Sequence, residues 1–256
     1  MKNYVISLTT ATNRREHIKA EFGKQNIHFE FFDAITPDSI ERISTQLNIP
    51  LINNQRLSLG EKACFLSHVC LWQKMIDDDL KYIAIFEDDV YLGENADLFL
   101  NHDDWLQNIK ADIIKLETWQ ELVHLHQHSI NIHYRQFKQL KSTHVGAAAY
   151  IINQYSAKQA IEHLKCLPTD YLYAIDHVIF GALLDLLAIY QIYPALAIQA
   201  DRQNQDYLVS QLEEERKNNT FIYQAQDGFL IRVKKLYQRF YRSIGKRTFY
   251  ETVPFQ

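Results

Sequence analysis

The run "YIAIFEDDVYL", Tyr82 to Leu92, constrains this chain more than any other stretch. Mostly apolar residues from Tyr82 to Phe86 lead straight into Glu87, Asp88 and Asp89, and Val90 to Leu92 then resume the apolar pattern. A short unbroken apolar run fits a strand buried on both faces. Carboxylates at its end repel one another and lose water, which costs stability. The acids therefore have a use at that strand end, or else they cap a helix or line an exposed acidic turn.

The rest of the chain alternates strand and helix patterns for about 200 residues, the signature of one α/β domain. Tyr4 to Leu8 reads as a first buried strand, Arg14 to Phe22 as a helix, and Phe29 to Ile35 as a second strand ending at Asp33. Residues 36–57 are polar and irregular. Ser58 opens a helix whose Glu61 completes a capping box, with apolar positions at helical spacing to Met75 and a loop expected at Asp77 to Asp79. Asp112 to Glu117 and His144 to Asn153 read as strands, Gln154 to Leu167 and Tyr173 to Leu187 as helices, and Leu187 to Ile198 as a strand interrupted by Pro194.

Composition excludes several classes. With 47% hydrophobic and 12% aromatic residues in 256, the chain can bury a sizeable core. Seven glycines leave no glycine-rich phosphate loop, and GxSxG, HExxH, GxxxxGK[ST] and GxGxxG are all missing. A formal charge of −4 argues against broad nucleic-acid binding. Cys64, Cys70 and Cys166 form no CxxC and read as reduced thiols of a cytosolic protein. Cys64 and His68 share a helix face, but nothing at a suitable spacing completes a metal pair, so packing is the expected role. The N-terminal apolar run is too short for a signal peptide, and no stretch is long enough to span a membrane.

In an open α/β sheet, ligands collect at the C-terminal ends of strands. Asp33, Glu87 to Asp89 and Glu117 all end strands in this reading. Such acids suit a hard divalent cation, which offsets their repulsion and leaves positions open for a diphosphate. On extended backbone residues 87 and 89 face one way and 88 the other. Asp89 is thus the leading metal ligand, with Glu87 assisting through a ribose or a bound water. Without a glycine loop, phosphates would need the metal, a helix N-terminus or a cation, and Arg14 and Arg15 follow the first strand. Simple surface charge explains those arginines equally well.

At this point the order of motifs matters: "YVISL" with its Arg pair, "FEFFDAI", "SLGEKACFLSHVCLW", "YIAIFEDDV", "IIKLET" and "GAAAYIIN". Together, over roughly Lys2 to Gln199, they resemble the bacterial lipooligosaccharide glycosyltransferases of glycosyltransferase family 25, which also includes the collagen galactosyltransferases. The resemblance implies a GT-A fold: a Rossmann-like mixed sheet flanked by helices, with an acidic DxD-type motif for Mn2+ or Mg2+ and a UDP-sugar. Here that motif is Glu87-Asp88-Asp89, so Glu stands where a strict DxD has its first Asp. It further implies an inverting transferase, with galactose from UDP-galactose as the leading donor and glucose or an N-acetylhexosamine as alternatives. Thr9, Arg14, Asp33, Ser67 and His68 are then carried over to the nucleotide site, beside Glu87 and Asp88. Gln199 is the candidate for a further metal ligand. Inversion needs one base for the acceptor hydroxyl. Asp176, at the start of a helix, is the first choice and Glu117 the second. A helix cap is the bland role for Asp176, and a buried hydrogen-bonded ring that for His68.

The boundary expected from composition divides a catalytic domain, 1–215, from a C-terminal segment, 216–256. Phe229 to Phe249 holds seven basic residues and no acid, and Arg232, Lys235, Arg239, Arg242 and Lys246 recur at helical spacing. That stripe reads either as a solvated helix on the core or as a foot on the anionic inner-membrane surface, where a lipid-anchored acceptor would lie. Two rivals stay open: a nucleotidyltransferase using the same acids, and a nucleotide-sugar-binding protein without turnover.

Overall fold

The computed structural model describes residues 1–203 and 249–256. In chain order the elements are β1 (Lys2–Ser7), α1 (Thr12–Gly23), β2 (Glu30–Asp33), α2 (Ile40–Leu47), α3 (Leu59–Asp77), β3 (Tyr82–Glu87), β4 (Val90–Leu92), α4 (Asp97–Leu100), β5 (Ile113–Lys115) and β6 (Glu117–Thr118). They continue with β7 (Leu122–Ile132), β8 (Arg135–Leu140), β9 (Ala149–Asn153), α5 (Gln154–Cys166), α6 (Ile175–Ile179), β10 (Ile189–Tyr193), β11 (Ala197–Gln199) and β12 (Tyr250–Thr252). Nine strands form one mixed sheet in the order β12-β7-β8-β10-β5-β9-β3-β1-β2. A second sheet, β4-β11-β6, stands beside it. This is the expected mixed α/β sheet flanked by helices.

The apolar runs are continuous because both faces of the large sheet are covered. Period-two alternation splits each central strand between two cores. Tyr4 and Ile6 of β1, Ile83 and Ile85 of β3, and Tyr150 and Ile152 of β9 pack with α3, α5 and α6. Val5, Ala84, Phe86 and Ile151 face the opposite side, with Ile18 and Phe22 of α1. The α3 capping box is formed as its sequence suggests: Ser58 accepts from the Glu61 amide, and the Glu61 carboxylate accepts from the Ser58 amide.

Several boundaries differ from the sequence reading. Residues 36–57 are not wholly irregular, since α2 lies within them, ended by Asn48 in the left-handed region. The helix expected over Tyr173 to Leu187 is divided into α6 and a 3-10 turn at Ala182–Asp185. Gly181 lies between them, where a Cβ would run into the His177 carbonyl. The strand expected over Leu187 to Ile198 becomes β10 and β11 in two different sheets. Pro194, which has no N–H to give a ladder, marks the break. Residues 144–148 are loop and not strand. The β7–β8 hairpin was not anticipated; its polar outward residues hid the alternation.

The basic residues of the C-terminal stripe, and the 215/216 boundary, lie outside the described residues. The last described stretch returns to the large sheet, because β12 pairs antiparallel with β7. Among the described residues no helix is long and apolar enough to cross a membrane.

Arg135, at the start of β8, ties these parts together. Its buried guanidinium donates to Pro194 O at 2.9 Å, Glu94 O at 2.8 Å and Gln256 O at 2.7 Å. Arg135→Met leaves these carbonyls without their donor and should cost on the order of 3 kcal/mol. Equilibrium urea unfolding measures it, and a midpoint equal to wild type would remove Arg135 from this bracing role.

Candidate functional site

The C-terminal ends of three parallel strands meet at one edge of the sheet. Ser7 pairs in register with Asp33, and Ile6 with Glu87. Alternation along β3 then decides where each acid goes. After Ile83 and Ile85, Glu87 falls on the α3 face. Asp88 and Asp89 form a turn into β4. Asp88 reaches back to β1 and α1, where it accepts from Ser7 Oγ at 2.6 Å and Arg14 Nη1 at 2.5 Å. Asp89 is 6% exposed and stands 3.7 Å from Arg14 Nη2. The pairing of β11 with β4 sets Gln199 opposite Val90. From there the Gln199 amide donates to Glu87 Oε2 and to Asp89 Oδ1, each at 3.3 Å.

This cluster is short of positive charge. Burial, together with the Glu87 and Asp88 carboxylates, pushes the Asp89 carboxyl up to about 7, against the opposing pull of Arg14. Asp88 is committed to Ser7 and Arg14. Glu87 and Asp89 instead converge on a single amide, and they suit a hard, oxygen-binding divalent cation. Gln199 has an amide oxygen to offer such an ion once the amide turns over.

A second set of acids is stitched to the first by the loop before β9. The Glu87 amide donates to Ala148 O at 2.8 Å, and the Ala148 amide donates to Glu117 Oε1 at 2.7 Å. Lys115 Nζ donates to Glu117 Oε1 at 3.2 Å, to Val145 O at 2.8 Å and to Gly146 O. The Gly146 amide donates to Asp176 Oδ2 at 3.1 Å. Gly146 has φ +85°, and a Cβ there would stand 2.8 Å from the Trp119 ring and 2.9 Å from Glu117 Oε1. Only glycine fits both the backbone and the space. Glu117 and Lys115 are fully buried, and burial drives each toward its neutral form. Asp176 is half-buried and its Oδ1 accepts from the His177 amide at 2.8 Å.

The candidate residues thus fall into groups. Arg14, Glu87, Asp88, Asp89 and Gln199 come together, and Glu117 and Asp176 join them through residues 146–148. Asp33 ends β2 in an exposed ion pair with Arg15. Thr9 is exposed in the turn after β1. Ser67 is fully buried, donating to Ala63 O at 2.8 Å and accepting from the Ile35 amide at 2.9 Å. His68 is also fully buried, with Nδ1 3.0 Å from the Tyr150 hydroxyl, which accepts from Trp72 Nε1 at 2.9 Å. Ser7 and Lys115 carry no functional expectation from the sequence, and Cys64, expected to pack, instead stands 3.9 Å from Glu87 Oε1. A lysine inside the apolar run "DIIKLE" was the available signal for Lys115; nothing marked Ser7.

Comparison with known proteins gives the family of the chain. The family model for glycosyltransferase family 25 (LPS biosynthesis protein) matches residues 1–179. The lipooligosaccharide biosynthesis protein lic2B of Haemophilus influenzae is 43% identical over 225 residues, covering 84% of this chain and 83% of that protein. A second protein of that species, the lipooligosaccharide biosynthesis protein lex-1, is 38% identical, covering 87% of this chain and 84% of its own length. The lacto-N-neotetraose biosynthesis glycosyltransferase LgtE of Neisseria meningitidis is 39% identical, covering 78% of this chain and 74% of that protein. With its family model matched from the first strand through α6, and relatives of this identity over most of its length, the chain belongs to glycosyltransferase family 25.

Proposed function

We propose that the chain transfers a hexose, galactose from UDP-galactose in the first instance, to a lipooligosaccharide acceptor with inversion at the anomeric carbon. The carrying observation is the convergence of Glu87 Oε2 and Asp89 Oδ1 on one Gln199 amide at the strand ends, with Arg14 alongside. Family membership makes it a glycosyltransferase, and the names of the relatives support the lipooligosaccharide acceptor.

In this reading Asp89 and Glu87, with Gln199, hold Mn2+ or Mg2+. The ion would neutralise the diphosphate and stabilise the departing UDP. Arg14, already oriented by Asp88, adds positive charge at the same edge. Asp176 is the base: its carboxylate takes the proton of the acceptor hydroxyl as that oxygen bonds to the anomeric carbon and UDP leaves with the electron pair. The Gly146 and His177 amides fix that carboxylate. Glu117, enclosed by Lys115 and Ala148, supports the loop that positions it. Placement at the cytoplasmic face of the inner membrane follows from a lipid-anchored acceptor, and the basic stripe of residues 232–246 suits an anionic surface.

Asp89→Asn should lose Mn2+-dependent stabilisation by UDP, which for the wild type amounts to about 2.7 kcal/mol at a hundredfold excess over Kd. Thermal-shift titration reads this directly, and an undiminished shift in the variant would remove Asp89 as the ligand. Because Asp89 holds a proton up to about pH 7 without a cation, wild-type Mn2+ affinity should weaken as pH falls below that value.

Asp176→Asn should lower turnover by about a hundredfold or more while UDP affinity stays near wild type. Transfer assayed across a panel of UDP-sugars tests both the base and the donor. Near-normal turnover would transfer the role of base to another group.

The membrane reading calls for charge reversal, since truncation would also remove β12 and the Gln256 contact of Arg135. Replacing Arg232, Lys235, Arg239, Arg242 and Lys246 by Glu should abolish binding to anionic vesicles, each cation contributing about 1 kcal/mol near such a surface. Equal vesicle binding by the two proteins would refute it.

A further inference from the structure

On α3, Cys64 and His68 are one turn apart and face the end of β3. The sequence offered that pair no partner. The fold supplies one, because alternation along β3 turns Glu87 toward α3. Cys64 Sγ is 3.9 Å from Glu87 Oε1, and His68 Nε2 is 3.7 Å from the same oxygen. One donor atom from each of the three residues lies within 4.8 Å of the others.

The second observation concerns His68 itself. Its ring is 0% exposed, yet Nε2 has no hydrogen-bond partner. A buried ring nitrogen in that condition is costly unless something else engages it. The other nitrogen faces the Tyr150 hydroxyl, whose oxygen can accept from both Trp72 Nε1 and a protonated Nδ1. In that tautomer Nε2 carries the lone pair, 3.7 Å from Glu87 Oε1. A hydrogen-bonded second nitrogen is the usual support for a metal-binding histidine.

We infer that Cys64 Sγ, His68 Nε2 and Glu87 Oε1 form a site for a thiophilic divalent cation such as Zn2+. Thiolate, imidazole and carboxylate are the donors that ion takes, and around a tetrahedral centre they stand roughly 3.3–3.6 Å apart. The two separations to Glu87 Oε1 need to contract by only a few tenths of an ångström, and Cys64 Sγ and His68 Nε2 start within 4.8 Å of each other. The thiol proton leaves to solvent as the metal–sulfur bond forms. Glu87 is 28% exposed and Cys64 half-buried, which gives the ion a way in and leaves a position open. The site is distinct from the one at Asp89: it uses Oε1 of Glu87, whereas the Gln199 amide that Asp89 shares donates to Oε2. It does not rest on the donor-sugar reading, because its test measures binding and not turnover.

The experiment is an oxygen-free Co2+ titration of the full chain after removal of metal by a chelator. The expected result is a near-ultraviolet thiolate-to-cobalt charge-transfer band with intense visible bands, saturating at one equivalent and removed by Zn2+. Cys64→Ser, close in size to the native residue, should abolish the charge-transfer band, and Cys166→Ser should keep it. His68→Gln should weaken Co2+ binding provided circular dichroism shows it folded; Cys64→Ser decides the matter if it is not. A band that survives in Cys64→Ser, or no band in folded wild type, overturns the assignment.

Discussion

Three consecutive carboxylates at the end of β3 set the terms for the elements around them. Burial of each one is unfavourable, so each needs a partner drawn from elsewhere in the fold. Asp88 takes two, Ser7 from β1 and Arg14 from α1. Glu87 and Asp89 share a single amide from β11, and Asp89 also stands 3.7 Å from Arg14. The two sheets meet at this point: β4 continues from the acids, pairs with β11, and so delivers Gln199. Titratable groups held in such perturbing surroundings cluster at functional sites.

The loop of residues 144–148 extends that constraint to the far side of the site. Its backbone contacts Glu87, Glu117, Lys115 and Asp176 through carbonyls and amides, not side chains. The small residues of "GAAAY" follow from this. A side chain at 146 would collide with Trp119 and Glu117, and Ala148 and Ala149 lie fully buried between strand ends. Lys115 is the buried donor that this loop needs, since it binds two loop carbonyls and Glu117 at once. Asp176 thereby keeps a fixed place relative to Glu87 although α6 is short.

Glu87 faces two chemistries. One oxygen accepts from the Gln199 amide and the other lies beside the Cys64 sulfur and the His68 imidazole. Ligand softness separates what each side prefers. A carboxylate placed this way couples the two neighbourhoods, because charge gained on one side changes the repulsion felt on the other.

Much of the architecture was legible in the sequence. Period-two and period-3.6 patterns located β1, β3, α3 and α5, and Ser58 with Glu61 marked the start of α3. Those signals are local, so they survive without knowledge of the fold. The failures were also physical. Polar outward residues masked the β7–β8 hairpin, and Gly181 and Pro194 broke elements whose apolar runs continued across them. The acid motif and its family were readable because they are contiguous. Its contacts were legible only in part: Arg14 and Gln199 entered through the resemblance, the latter from 112 residues away, but nothing in the sequence brought Cys64 to Glu87. Sequence alone determined which residues carry charge and which strand ends hold them. Strand order and register decided which of them touch, because a one-residue slip along β3 would turn Glu87 away from α3 and dissolve the site.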